Sequence, residues 1–145
     1  MERERSAREK RIRRMLKILV AIDASKVSDM VIKRSGQFSK VTNCDLTILN
    51  VIEDVVSFKN IADTPLFREK QEKAKEILKK AEKTLKSHGV ECKTRLAIGP
   101  IAQEIVRIAE EGRFDIIFVG SRGLGAFKRM LLGSVCLLYT SDAAD

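Results

Sequence analysis

Short apolar runs alternate along this chain with longer segments in which apolar residues recur every three or four positions. Residues 15–22, 46–52 and 115–119 are short, apolar and rich in β-branched side chains, which predicts strands. Residues 90–98 alternate only in part, which favours a strand nearer the edge of a sheet. The chain therefore carries four predicted strands, with longer polar and amphipathic segments between them.

Three helices are predicted between these strands, because apolar residues recur there at helical spacing. In the first helix these residues are Val27, Val31, Phe38 and Val41. In the second they are Ala74, Leu78, Ala81 and Leu85. In the third, which follows Gly99-Pro100, they are Ile101, Ile105, Ile108 and Ala109. Gly89 is predicted to be the C-cap of the second helix, so the order of elements is β-α-β-α-β-α-β.

This alternation predicts an α/β fold with an open, doubly wound parallel sheet, Rossmann-like in its architecture. Ligands of such sheets bind beyond the carboxyl ends of the strands, where the strand order reverses. If the first and last predicted strands are neighbours at that point, the loops that follow them face one crevice. Asp23 and Gly120 open those two loops.

The loop after the last predicted strand has the chemistry of a phosphate site. Residues 120–134 read GSRGLGAFKRMLLGS, with glycines at 120, 123, 125 and 133 and a serine at 134. Glycines let the backbone approach a ligand closely, so that consecutive N–H groups can point at an anion. The order GxxGxG differs from GxGxxG, and GxxxxGK[ST] does not occur, so neither common nucleotide motif is present.

The pattern Gly120-x-x-Gly123, nine residues and then Gly133-Ser134, together with KILVAIDAS near the N-terminus, resembles the universal stress protein family. NVIED at the end of the second strand and Gly99-Pro100 also fit that family. The resemblance spans about residues 15–135. It implies a five-stranded parallel sheet, usually in a dimer, of the adenine nucleotide alpha hydrolase-like type. Because the glycine pattern is kept, the chain resembles the branch that binds ATP.

Carried over by position, the resemblance implies that Asp23 meets the ribose or the adenine, with Ala21 beside it and Val51 lining the adenine pocket. The residues implied to surround the ribose and phosphates are Gly120, Arg122, Gly123, Gly133, Ser134 and Val135. The implied ligand is ATP or AMP, with Mg²⁺ or Mn²⁺ accompanying the nucleotide. No residue of the chain is assigned as a metal ligand or as a catalytic group.

Each assignment has a local alternative. Asp23 could cap the first helix, and Ser134 could cap a following one, a role compatible with phosphate binding. Lys128 and Arg129 are interpreted as a solvated basic face. His88 precedes a helix-ending glycine, so we expect it to interact with the C-terminal dipole of that helix rather than to act as a catalyst.

The residue types favour binding over turnover, because the glycine loop contains no carboxylate that could orient a nucleophile, and Asp23 is the one acid expected in the crevice. We therefore expect a nucleotide-dependent sensor or switch in stress response, at most a slow ATPase. The alternative is a dimeric interaction module that binds no nucleotide and associates with nucleic acid through a basic arm. That arm is residues 1–14. Its seven basic and three acidic residues give it a net charge of +4, which is half of the formal net charge of +8 of the whole chain.

Composition limits the remaining choices. A chain of 145 residues with 44% hydrophobic content suits one domain, and no apolar run approaches the roughly 20 residues of a membrane helix. Cys44, Cys92 and Cys136 are odd in number and contain no CxxC pair, so we expect buried free thiols rather than disulfides or a zinc site. These features predict a soluble, cytoplasmic protein. The family resemblance implies that a complete form is a homodimer.

The last ten residues do not continue the family pattern. In relatives, Gly-Ser-Val opens a helix, after which a fifth strand completes the sheet. Here Val135 is followed by CLLYTSDAAD, residues 136–145, which resembles the translation of a widely used sequencing-library adapter. We therefore predict a domain over residues 15–135 that lacks its last helix and strand, followed by a non-native tail. The alternative is a genuine short C-terminus.

Overall fold

The fold is described from a computed structural model, and the description covers residues 15–53, 64–120 and 136–140. Strands and helices alternate along the described part of the chain. The strands are β1 (Leu16–Ala21), β2 (Cys44–Glu53), β3 (Lys93–Gly99), β4 (Ile116–Gly120) and β5 (Cys136–Thr140). The helices are α1 (Lys26–Val41), α2 (Pro65–Ser87) and α3 (Ile101–Glu111).

The five strands form one sheet in the order β3-β2-β1-β4-β5, and every neighbouring pair is parallel. The chain winds outward from β1 through β2 to β3 and then returns to β4, on the other side of β1. The strand order therefore reverses between β1 and β4. The predicted doubly wound sheet is confirmed. Its first strand and the strand from residues 116–120 are neighbours, which is the condition under which the loops that follow them face one crevice.

The two faces of the sheet bury two apolar clusters. Along the central strand β1, Ile18 and Val20 belong to the cluster beneath α1 and α2, whereas Leu19 and Ala21 belong to the cluster beneath α3. Ile18, Leu19 and Val20 are fully buried. Burying one such side chain contributes about 1.5–3 kcal/mol, and this explains why the central strand is apolar at successive positions.

The long helix α2 begins and ends with recognisable signals. Thr64 precedes Pro65 and its hydroxyl accepts a hydrogen bond from the Phe67 N–H at 3.2 Å. At the other end, the Gly89 N–H donates to the Lys86 carbonyl and the Val90 N–H to the Leu85 carbonyl, at 3.0 and 2.9 Å. This is a Schellman motif. The C-cap is His88 rather than Gly89, which lies one position later with φ +80°.

Two residues on the predicted apolar faces of helices are in fact exposed. Val41 is 81% exposed because it is the last residue of α1, where the helix leaves the sheet. Ile101 is 44% exposed because it opens α3 at the carboxyl edge of the sheet. The rest of the predicted α3 face, Ile105, Ile108 and Ala109, is buried.

The structure differs from the expectation that no strand follows Val135. Residues 136–140 pair in parallel with β4 over five positions, from Ile116↔Cys136 to Gly120↔Thr140. An apolar run with high strand propensity can satisfy the backbone groups that β4 would otherwise leave open. The basic arm, residues 1–14, the rest of the glycine loop, residues 121–135, and residues 141–145 lie outside the described residues.

Of the three cysteines, Cys44 and Cys92 are free thiols that are half-buried against the cluster beneath α1 and α2, rather than fully buried as expected. The Cys44 sulfur lies 2.8 Å from the Thr42 hydroxyl oxygen.

In the part of the chain that the structure describes, no helix combines the length and the apolar character needed to cross a bilayer.

Candidate functional site

The candidate site lies at the carboxyl edge of the sheet, where the strand order reverses. The register between β1 and β4 includes Val20↔Phe118, so Ile22 would continue opposite Gly120. Asp23 follows directly after Ile22. The structure therefore brings two predicted site residues, Asp23 and Gly120, to the ends of adjacent strands at the position where doubly wound sheets bind ligands.

Two further predicted residues, Ala21 and Val51, lie at the same edge on one face of the sheet. Ala21 is 9% exposed and belongs to the cluster beneath α3, against which the half-buried Val51 also packs. Ala21 pairs with Leu49, so Val51 lies two residues further toward the edge on the neighbouring strand. Together with Ala102 at the start of α3 they form the part of this apolar cluster that lies toward the carboxyl edge.

Asp23 is held by the residues that begin α1. Its Oδ1 accepts hydrogen bonds from the Ser25 N–H and the Ser28 hydroxyl, both at 2.8 Å, and its own N–H donates to Ser28 Oγ at 2.7 Å. The helix N-cap is Ser25, which forms no side-chain cap bond. Asp23 is therefore not the N-cap of α1, which was the local alternative left open by the sequence. Its side chain stabilises the turn before the helix and is exposed to solvent.

Two buried polar side chains that sequence reasoning missed support this turn. Asn50 on β2 is 6% exposed, and its amide donates to the Ile22 carbonyl at 2.9 Å. Ser28 is also 6% exposed and contacts Asp23 as described. The available signal was an asparagine inside the apolar run LTILNVI, since a polar residue in a buried strand needs a partner.

The edge also contains two carboxylates that the sequence interpretation did not place there. Glu53 ends β2 beside Gly99, and Glu104 lies in the first turn of α3, where it packs against Gly99. Arg107 binds Glu104 through Nη2 and Oε2 at 2.6 Å and Glu111 at 2.9 Å. The hydrogen bond to Glu104 is the main cause that raises the pKa of Arg107. Asp23 is therefore not the single acid near this edge, although Glu104 is paired.

The remaining predicted residues fall outside the described part of the chain. They are Arg122, Gly123, Gly133, Ser134 and Val135, together with the basic residues Lys128 and Arg129. Within residues 15–53 and 64–120, no group of three or more His, Cys, Asp or Glu side chains is arranged to hold a metal ion.

A separate groove of about 330 Å³ lies between α1 and the C-terminal end of α2. Its lining residues include Lys33, Gly36, Lys40, Leu85 and His88. Of the predicted site residues that the structure describes, Ala21, Asp23, Val51 and Gly120, none lines it. His88 is exposed at the C-terminal end of α2, in the position expected for a partner of the helix dipole.

The strand order and the helix placement define a doubly wound α/β protein. The sequence profile of the universal stress protein family matches residues 15–137. The chain therefore belongs to the universal stress protein family. It is 33% identical over 129 residues to universal stress protein YxiE of Bacillus subtilis, a match that covers 82% of this chain and 87% of that protein.

Solved structures agree with this assignment. The structure of MJ0577, a universal stress protein of Methanocaldococcus jannaschii, superposes on this chain with a TM-score of 0.70 at 27% identity. The match covers 91% of this chain and 99% of that one. The universal stress protein from Archaeoglobus fulgidus in complex with dAMP has a TM-score of 0.68 at 20% identity, covering 87% and 98%. At that identity the likeness concerns the fold.

Two further structures with this fold also contain adenine nucleotides. One is a universal stress protein in complex with cAMP, with a TM-score of 0.66 at 23% identity, covering 88% of this chain and 97% of that one. The other is an Arabidopsis thaliana family protein with AMP bound, with a TM-score of 0.64 at 19% identity, covering 89% and 94%.

Proposed function

We propose that this chain binds an adenine nucleotide, ATP or AMP, at the carboxyl edge between β1 and β4 and acts as a nucleotide-dependent switch in stress response. The observation that carries the proposal is the reversal of strand order between β1 and β4, which brings Asp23 and Gly120 to one crevice. Structural neighbours in complex with cAMP, dAMP and AMP support an adenine nucleotide as the ligand.

The chemistry of the edge suits the parts of such a ligand. A carboxylate such as Asp23 accepts hydrogen bonds from ribose hydroxyls, and the apolar surface of Ala21 and Val51 suits the faces of an adenine ring. Gly120 opens the glycine pattern that is expected to bind the phosphates through backbone N–H groups. A nucleotide placed this way would lie across the carboxyl ends of β1 and β4, where the strand order reverses.

Binding without efficient turnover is the favoured activity. Phosphoryl transfer needs a positioned nucleophile and metal ligands near the phosphates. In the described residues, Asp23 Oδ1 is engaged by Ser25 and Ser28, and no cluster of three metal-ligating side chains is present. Mg²⁺ or Mn²⁺ would accompany the nucleotide through its phosphate oxygens, where it neutralises their charge.

Isothermal titration with ATP, in the presence and absence of Mg²⁺, tests the proposal. Asp23→Ala is expected to weaken binding about 10- to 100-fold, the effect of losing hydrogen bonds to a charged group. Gly123→Val is expected to abolish binding, because a branched side chain would block the backbone's approach to the phosphates. Asp29→Ala is the matched control, since Asp29 is an exposed acid of α1 that lines the separate groove.

The result that contradicts the proposal is a wild-type protein that binds no ATP or AMP at millimolar concentration. Retention on DNA that falls with salt and disappears when residues 1–14 are removed would instead support the interaction module. If Asp29→Ala weakened ATP binding as much as Asp23→Ala, the crevice would be the wrong location for the nucleotide.

A further inference from the structure

We propose that Ser28 is a positioning residue of the nucleotide site, which holds the Asp23 carboxylate in the orientation that accepts hydrogen bonds from ribose hydroxyls. The inference rests on the proposed function, because it concerns how the same site recognises its ligand. Ser28 lies in the first turn of α1 and is 6% exposed. It was absent from the residues expected to matter.

Ser28 binds Asp23 at two points. Its Oγ accepts the Asp23 N–H at 2.7 Å and donates to Asp23 Oδ1 at 2.8 Å. The two contacts join the backbone and the side chain of one residue through a single hydroxyl. Rotation of the Asp23 side chain about its χ angles breaks the second contact, so the pair of bonds restricts the carboxylate to a narrow range of orientations.

Other helix hydroxyls in this protein behave differently. Ser35 and Ser39 of α1 donate to backbone carbonyls three or four residues earlier, at 2.9 and 2.8 Å, which is the usual partner of a hydroxyl inside a helix. Ser28 instead directs its hydroxyl out of the helix to the end of β1. The contrast indicates that the hydrogen bonds of the Ser28 hydroxyl stabilise the turn after β1 rather than helix α1 itself.

The turn is fixed from a second side as well. The Ile22 carbonyl and the Asp23 N–H belong to one peptide unit, whose two polar atoms are bound by the side chains of Asn50 and Ser28. Both side chains are buried, so water is a poor substitute for either. Because this peptide plane is held at both ends, Asp23 starts from a fixed position. The Ser28 hydroxyl, together with the Ser25 N–H that binds the same Oδ1, then sets the direction of its carboxylate.

Such preorganisation has a measurable consequence. A carboxylate that is already oriented loses little rotational freedom when a ribose binds, whereas a free one loses more. Removing the Ser28 hydroxyl should therefore weaken the ribose contact about 5-fold. Contacts to the adenine and phosphates should change little. The ratio of affinities for AMP and for 2′,3′-dideoxy-AMP isolates the ribose contribution.

The experiment is isothermal titration of AMP and 2′,3′-dideoxy-AMP into the full chain and its variants. Wild type should prefer AMP, and Ser28→Ala should reduce this preference about 5-fold. Ser28→Thr, which keeps a hydroxyl, should restore most of it. Ser39→Ala removes another hydroxyl of α1 and should leave it unchanged. Asp23→Ala should lose the preference, and adding Ser28→Ala to it should cause no further loss.

The outcomes separate the two ideas. If wild type binds no AMP, the proposed function fails and this inference fails with it. If wild type prefers AMP and Asp23→Ala abolishes the preference while Ser28→Ala keeps it, the inference alone is overturned. Equal losses in Ser28→Ala and Ser39→Ala, or no rescue by Ser28→Thr, would also overturn it, because they would indicate a general effect on helix α1.

Discussion

Lys17 and Asp115 join β1 to β4 through a reciprocal pair of hydrogen bonds at the amino end of the two strands. The Lys17 N–H donates to Asp115 Oδ2 at 2.9 Å, and the Asp115 N–H donates to the Lys17 carbonyl at 2.8 Å. The Lys17 ammonium also lies 4.8 Å from the centre of the Phe114 ring. This contact lies at the opposite edge from the candidate site and helps to set the register that brings Asp23 and Gly120 together.

Asp115→Ala should therefore destabilise the fold by about 1 kcal/mol, because it removes the acceptor of the Lys17 N–H while water replaces part of the lost bond. Urea unfolding measures the change. Asp115→Asn keeps an acceptor oxygen and should cost less than the alanine variant. Stability of Asp115→Ala equal to wild type would show that the contact contributes nothing to the register.

Gly99 is a position where both the backbone conformation and a close neighbour oppose an added side chain. Its φ is +146°, and an added Cβ would lie 2.9 Å from Glu104 Cγ. Gly99→Ala should lower the free energy of unfolding by about 1–3 kcal/mol. Gly89, with φ +80° and open space around it, is the matched control.

Gly89→Ala should cost about 1–2 kcal/mol from backbone conformation alone, and Gly89→Asn less, because asparagine tolerates that conformation. The predicted order of losses in chemical unfolding is thus Gly99→Ala, then Gly89→Ala, then Gly89→Asn. A Gly99→Ala protein as stable as wild type would contradict the geometry at the start of α3.

Much of the fold was predictable because strand and helix periods are local properties of a sequence. The run 15–22 is apolar at successive positions since β1 is covered on both faces, and this pattern needs no knowledge of its partners. Asp23 and Gly120 were placed at one edge by the rule that ligands meet strand carboxyl ends, whereas Ala21 and Val51 were implied by the family resemblance. Their contacts with a ligand stay a prediction.

What was missed depends on contacts between distant positions. Asn50 reaches the Ile22 carbonyl only because β1 and β2 adopt one particular register, which residue types do not specify. The strand at residues 136–140 likewise depends on pairing with β4. The exposure of Val41 and Ile101 follows from where α1 ends and α3 begins, and helix boundaries are poorly determined by periodicity.

The pairing of β5 with β4 can be tested by shortening the chain. Removing residues 136–145 should uncover the edge of β4 and increase aggregation, because unpaired strand edges recruit other strands. Removing only residues 141–145 leaves β5 in place and should have little effect. Light scattering of the two shortened proteins under equal conditions compares them. Equal aggregation would show that β5 does not protect β4.

Cys92 should react slowly with alkylating agents while the protein is folded. Burial, and secondly the Glu82 carboxylate, raise the pKa of its thiol from 9.0 to about 11. At pH 9 the thiolate fraction falls from about one half to about 1%. Site-resolved mass spectrometry of iodoacetamide labelling between pH 7 and pH 11.5 measures the profile.

The expected labelling rate at Cys92 rises with a midpoint near pH 11, and unfolding in urea moves that midpoint toward 9. Because the folded state favours the neutral thiol, this group stabilises the fold below pH 9, and that contribution is lost as the pH rises through 11. A midpoint near 9 in the folded protein would contradict the predicted environment.

The central claim concerns where an adenine nucleotide binds, and amide chemical shifts of ¹⁵N-labelled protein titrated with AMP test it most directly. We predict shifts that saturate together at Asp23, Val51 and Gly120, with the Lys17 and Asp115 amides at the opposite edge unchanged. Shifts confined to Lys33, Lys40 and His88, which line the groove between α1 and α2, would contradict the account. So would an unchanged spectrum at millimolar AMP.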